Sequence, residues 1–262
     1  MTMLAVSALC WERDGDLGQL AGWRAMGLQG VEAVPGRILP SWPLLVEYEA
    51  RTAHDAADAE ELLVPAMQAI LFGKPEALLF SGTDMFAKAV MEAAILAHIL
   101  GAPCMVWGAP GSRRRGAMAM GDAMKTAVAV LRPLCDRLHG EYGLRLLIEH
   151  NPTDYGCDFV TTPDEAVLLA EAVDSPGFGF HLDVGGLETA DEAIPHLHRA
   201  GHVHASQRGL GSFIPGVLHT QMASALRKIP DAWVSLEMLP SGGEQTRDMA
   251  IREFVNWYGD CK

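Results

Sequence analysis

The apolar run Leu146, Leu147, Ile148 ends on Glu149, and the pattern recurs downstream: "FGFHLDV" carries Asp183, "HVHAS" carries His202 and His204, and "WVSLEML" carries Glu237. An ionised carboxylate at the end of a buried strand costs several kcal/mol unless a partner holds it. Three carboxylates and an imidazole form a mixed oxygen and nitrogen donor set, which suits Mn²⁺, Mg²⁺, Co²⁺ or Zn²⁺ and not a thiolate-preferring ion. One such divalent ion would hold Glu149, Asp183, His204 and Glu237 together. Taken singly, each has a plainer use. An aspartate after a strand caps a helix or turn, a strand histidine such as His181 or His202 packs in a core, and Glu237 pairs at a rim. Their placement on four successive runs sets the metal reading level with these plainer ones.

Those runs must then be strands that end on one face. Eight short apolar segments bounded by turn residues, at 4–11, 30–34, 66–72, 104–108, 145–150, 178–184, 202–206 and 233–239, are the candidates. They alternate with stretches of helical spacing at 17–26, 52–63, 83–100, 119–140, 163–173, 189–200, 218–228 and 245–258. Thr162, Pro163 and Glu165 read as a helix start, and Gly101 as a helix stop. Strict alternation predicts a parallel sheet, and eight units predict an α/β, single-domain (β/α)₈ TIM barrel over residues 1–262. The competing doubly wound sheet lacks its nucleotide-binding glycine fingerprints here. Catalytic groups of a barrel sit where its strands end, so the fifth to eighth predicted strands deliver neighbouring ligands. The irregular stretches 35–51 and 207–217 follow strands, where covers over barrel sites are built. Near the same mouth, Gln68, Trp107, Asn151 and His181 are candidate ligand contacts, although an aromatic in a strand, such as Trp107, is more often core.

With 33 acidic against 20 basic residues, the net charge of −13 argues against a nucleic-acid backbone or an anionic membrane surface as partner. The one basic cluster, "SRRRG" at 112–116, either grips a single phosphate or carboxylate or lines a solvated loop. No apolar run is long enough to span a membrane, and "MLAVSALCW" reads as the first strand and not as a signal peptide. Cysteines 10, 104, 135, 157 and 261 form no CxxC pair, which predicts a reducing, cytoplasmic setting without a disulfide framework.

The segments "LGAPCMVWGAPGSRRRG", "LLIEHNPTDYGCDFVTTPDEAVLLAEAVDSPGFGFHLDVGG", "GHVHASQRGL" and "WVSLEML" resemble the xylose isomerase-like TIM-barrel superfamily, in particular bacterial sugar phosphate isomerase/epimerase proteins. The resemblance implies one divalent metal ion held by Glu149, Asp183, His204 and Glu237. It implies a small sugar or related polyhydroxy carbonyl substrate, bound through a carbonyl and an adjacent hydroxyl. One of Glu149 and Glu237 then removes the proton beside the carbonyl, the metal stabilises the enediolate, and the other glutamate returns a proton. Arg113, kept in "GAPGSR" where relatives have GSPKNR, becomes the candidate for an anionic or hydroxyl group of the substrate. Two positions depart from the pattern: Gly186 stands where many keto-sugar epimerases carry a histidine, and Gln207 stands where an acidic residue follows H-x-S.

Three alternatives follow from the same set. A dehydratase of the inosose dehydratase kind would use similar metal chemistry and expel a hydroxyl. A nuclease resembling endonuclease IV is disfavoured by the −13 charge and by the missing ligand at Gly186. A non-catalytic metabolite-binding barrel would retain the metal without turnover. The aromatic-rich segment 35–51 offers a surface for a homo-oligomer.

Overall fold

Apolar runs rich in Val, Leu and Ile become strands covered on both faces, as parallel sheets require. The structure, a computed structural model, describes residues 1–240 and 242–259, so Cys261 lies outside the described residues. Seven parallel strands are present: β1 (Met3–Ser7), β2 (Gly30–Glu32), β3 (Cys104–Trp107), β4 (Arg145–Glu149), β5 (Phe178–Asp183), β6 (Ala200–Ser206) and β7 (Trp233–Glu237). Their order is β2-β1-β7-β6-β5-β4-β3.

The gap between β2 and β3 is spanned by residues 63–68. Met67 bridges both Ala33 and Met105, and Leu63 bridges Gly30. The Met67 N–H donates to the Cys104 carbonyl, and the Val106 N–H donates to the Met67 carbonyl. The chain is therefore a TIM barrel whose third strand is reduced to bridges. The predicted strand 66–72 is corrected accordingly: Ala69 takes the left-handed conformation at φ 54, and the chain continues as a turn to Gly73.

The helices are α1 (Pro35–Ile38), α2 (Glu47–Ala59), α3 (Met85–Ile99), α4 (Met120–Tyr142), α5 (Pro163–Val173), α6 (Val217–Leu226) and α7 (Glu244–Tyr258). The Thr162 hydroxyl accepts the Glu165 N–H at 3.2 Å, the cap the sequence predicts. Two predicted helices are instead short 3₁₀ turns, at Leu17–Leu20 with Arg24–Met26, and at Ala190–Glu192 with Ile194–Arg199. Gly22, at φ 80, interrupts the first, and Pro195, which cannot donate an N–H, interrupts the second. Segment 35–51, predicted as irregular, holds α1 and the start of α2.

Most of the apolar core belongs to one cluster that joins the strands to the surrounding helices, while Ala66, Cys104, Val106 and Leu147 form a small separate one. Strand alternation puts Leu147 on the same face as Glu149, His181 with Asp183, His202 and His204 with Ser206, and Ser235 with Glu237. The register sets Glu149 beside His181, Asp183 beside His204, and Ser206 beside Glu237. Each strand is thus displaced by two residues from the last, and a polar layer forms above Leu147. Gly179 and Gly201 make room for that leucine, since a Cβ at either would lie 2.9 Å from a Leu147 methyl carbon.

Candidate functional site

His204, wholly buried on β6, is the hub of the polar layer. Its Nε2 lies 2.9 Å from both carboxylate oxygens of Glu32, and its Nδ1 lies 3.3 Å from Glu237 Oε2. Nε2–H therefore donates to Glu32, which turns Nδ1 toward Glu237 and the strand ends. Beneath it, His202 Nε2 is 2.8 Å from the Ser235 hydroxyl and 3.6 Å from Glu32 Oε2.

Asp183 is fixed by the Ser206 hydroxyl at 2.5 Å and by the Gly185 N–H at 3.1 Å, both donating to Oδ1. Gly185 is required there, because a Cβ would overlap the Ser206 hydroxyl. Glu149 accepts from Asn151 Nδ2 at 2.8 Å, and its carboxylate packs over Gly108, where a Cβ would overlap it. Donor atoms of Asp183, His204 and Glu237 lie within 4.8 Å of one another, as do those of Glu149, His181 and His204. The four residues expected from strand ends are thus gathered around one imidazole.

Their electrostatics fit a cation. Burial, then the charges of Asp183 and Glu237, push Glu149 up to about 8. Burial and Glu237 push Asp183 up to about 6. Burial opposes a charge on His204, but the carboxylates of Glu32 and Glu237 outweigh it and hold the imidazole well above its ordinary value. Burial likewise opposes a charge on Glu32, and the facing His204 and His202 hold it well below the usual carboxylate range. Crowded carboxylates that resist ionising together around one imidazole are a donor set that a divalent ion would relieve.

A cavity of about 440 Å³ opens beside this cluster, lined by Glu149, Asp183 and Glu237 together with Gln68, Trp107 and Asn151. Three of the sequence-predicted substrate contacts therefore reach it. Gln68 donates from Nε2 to the Ser7 hydroxyl at 2.6 Å, and Trp107 donates from Nε1 to the Ser112 hydroxyl at 2.8 Å. His181 is wholly buried, with its ring centroid 4.1 Å from that of His204, and is not among the residues lining the cavity.

Arg113 is corrected. It is completely buried, and its guanidinium donates to three backbone carbonyls: Phe159 at 3.1 Å, Trp107 at 3.3 Å and Glu149 at 2.6 Å. It braces the end of β4 and has no nitrogen to offer a ligand. Its burial holds its pKa below the ordinary value.

Glu32 is the residue sequence reasoning missed. Its signal was present in "GVEAV", a carboxylate inside an apolar run, but it lies within a strand and faces a partner 172 positions away. At the departures from the family pattern, the space beside Gly186 is taken by His150, whose Nε2 would lie 2.9 Å from a Cβ there. Burial and Arg113 push His150 down to about 4, so it stays neutral. Gln207 donates to the Ile214 carbonyl at 2.5 Å and so ties down the 207–217 loop. That loop supplies Leu210 to the cavity, as its position after a strand predicted, whereas segment 35–51 supplies no lining residue among those described. Trp42 instead donates from Nε1 to the Phe72 carbonyl at 2.7 Å and braces the cavity wall.

A sequence model described as xylose isomerase-like TIM barrel matches residues 21–260. No curated protein matches the chain. Solved structures of similar fold include D-psicose 3-epimerase with D-tagatose from Clostridium cellulolyticum H10, at 13% identity and TM-score 0.76, covering 98% of each chain. A second is 3-keto-D-glucoside 4-epimerase from E. coli, at 14% identity and TM-score 0.77, covering 100% of each. A third is IOLI protein with a binding zinc atom, at 17% identity and TM-score 0.68, covering 98% of this chain and 95% of the other.

Proposed function

The chain belongs to the xylose isomerase-like TIM-barrel family, and from that premise we propose that it is a divalent-metal-dependent isomerase or epimerase of a small sugar or related hydroxy-carbonyl compound. The observation that carries this reading is the convergence of Glu149, Asp183 and Glu237 on one cavity around the buried His204, which Glu32 orients through Nε2. These four residues would hold the ion, Mn²⁺, Mg²⁺, Co²⁺ or Zn²⁺. When bound, it would supply Lewis acidity that polarises a substrate carbonyl and acidifies the neighbouring C–H.

The chain's own residues do the rest. Glu149 and Glu237 both line the cavity, so one takes the proton from the carbon beside the carbonyl and the other returns a proton. Asn151 orients the Glu149 carboxylate, and Ser206 orients Asp183. The neighbouring solved epimerases support this reaction class through their shared fold.

Elemental analysis of the purified protein beside Glu237→Gln tests the metal. The expected result is about one equivalent of divalent ion in the wild type and a sharp loss in the variant, with thermal stability of the wild type rising on metal addition. Deuterium incorporation next to the carbonyl, across a panel of ketoses and aldoses in D₂O, tests the reaction. No metal in either protein after reconstitution overturns the reading, and water loss with a conjugated chromophore redirects it to a dehydratase.

A further inference from the structure

The cavity beside the candidate ligands is apolar along much of its remaining lining. One wall is the turn after the third-strand bridge, Ala69, Ile70, Leu71 and Phe72, and Leu210 of the 207–217 loop closes over it. Among the described residues lining the cavity, none is cationic. The nearby cations are committed elsewhere: Arg113 to three carbonyls, Lys74 to Glu92 at 2.6 Å, and Arg208 to Asp154 and Glu188 at 2.8 and 2.7 Å.

Two side-chain donors are engaged too: Gln68 Nε2 donates to Ser7, and Asn151 Nδ2 donates to Glu149 and to the His150 carbonyl, while the Tyr155 hydroxyl accepts the Gly209 N–H and keeps its own O–H. Three carboxylates around a divalent ion leave surplus negative charge, which repels a second anion. A phosphate here would lack the cationic partner it needs, and an extra hydroxyl against the apolar wall would gain no partner from it.

Resting on the metal-dependent reading above, we propose that the site takes an uncharged hydroxy-carbonyl compound with an apolar flank, such as a deoxyketose, and excludes phosphorylated sugars. A bound metal and the glutamates would engage the carbonyl and its neighbouring hydroxyl, while Phe72 and Leu210 cover the deoxygenated part of the ligand.

The test is equilibrium binding to the Mn²⁺-supplemented protein of three ligands that differ at one carbon: D-fructose, 6-deoxy-D-fructose and D-fructose 6-phosphate. Intrinsic tryptophan fluorescence and calorimetry serve as readouts. The deoxyketose is expected to bind about tenfold more tightly than D-fructose, and the phosphate at least about tenfold more weakly. Phe72, largely exposed at 71%, can be changed without disturbing the core, and Phe72→Ser should narrow the deoxyketose preference while Phe72→Lys should recover phosphate binding. Equal or tighter binding of the phosphate, no deoxyketose preference, or no binding by any of the three overturns the inference. A deoxyketose preference in binding without any C–H exchange in D₂O sustains the inference and sinks the isomerase reading instead.

Discussion

Two arcs of the same ring are built to different standards. From β4 to β7 neighbouring strands pair in extended ladders, with one irregularity between Phe180 and His181, and each presents an ionisable group to the mouth. From β2 across to β3 the ring is held by isolated bridges through Leu63 and Met67, and the chain then leaves as a turn of apolar side chains. The first arc places donor atoms that must agree to a fraction of an ångström, which rigid, paired strands provide. The second shapes a wall, and a braced turn is enough for that. The division is incomplete, because Glu32 on β2 and Arg113 after β3 reach across and hold the precise arc from behind.

The severest way to break the comparison is to remove that bracing. Arg113→Met removes a charged donor from three backbone carbonyls, including the carbonyl of Glu149 itself. The expected loss of stability is roughly 3–4 kcal/mol, read from the shift of the urea midpoint at constant slope. Arg113→Lys should recover only part of it, since an ammonium cannot reproduce the planar fork. Unchanged stability would mean that the guanidinium is free, and would return Arg113 to the ligand-binding role its sequence suggested.

Glu32→Gln sharpens the comparison with a smaller effect. The amide keeps the shape but loses the charge that faces His204 and His202. Partners that orient a metal-binding imidazole from behind are worth about ten- to a hundredfold in metal affinity, so titration of the stripped protein with Zn²⁺ or Mn²⁺ should show a weakening of that order. An unaltered affinity would separate β2 from the site and leave the strand-end arc self-sufficient.

What could be read from the sequence divides along the same line. Glu149, Asp183, His204 and Glu237 were legible because each interrupts an apolar run near the end of a predicted strand, and one barrel rule then places all four on the same face. Glu32 interrupts its run just as plainly, but only the folded ring reveals a partner so remote in sequence. Arg113 sits in a polar triplet whose composition does not distinguish a buried brace from a ligand grip. The 3₁₀ turns at Leu17–Leu20 and Ile194–Arg199 carry apolar residues three apart, a spacing that fits either kind of helix until Gly22 and Pro195 are weighed. The early end of the third strand was hidden for a simpler reason: the residue that turns the chain is an alanine.

Ala69, at φ 54, is where the bridging segment stops being a strand, and substitutions there should have the smallest effects of this series. Glycine relieves a left-handed conformation that costs an alanine about 1 kcal/mol, but it also frees the unfolded chain by about 0.4–1 kcal/mol. Ala69→Gly should therefore stay close to neutral in thermal denaturation. Ala69→Val is the more telling variant, because a β-branched residue tolerates φ above zero poorly and prefers extended backbone. If the turn is what the fold requires, valine destabilises by about 1 kcal/mol or more and the Ile70 to Phe72 wall loses definition. If valine stabilises instead, the segment has straightened into the full third strand that its apolar pattern suggests, and the distinction between the two arcs is a property of one alanine.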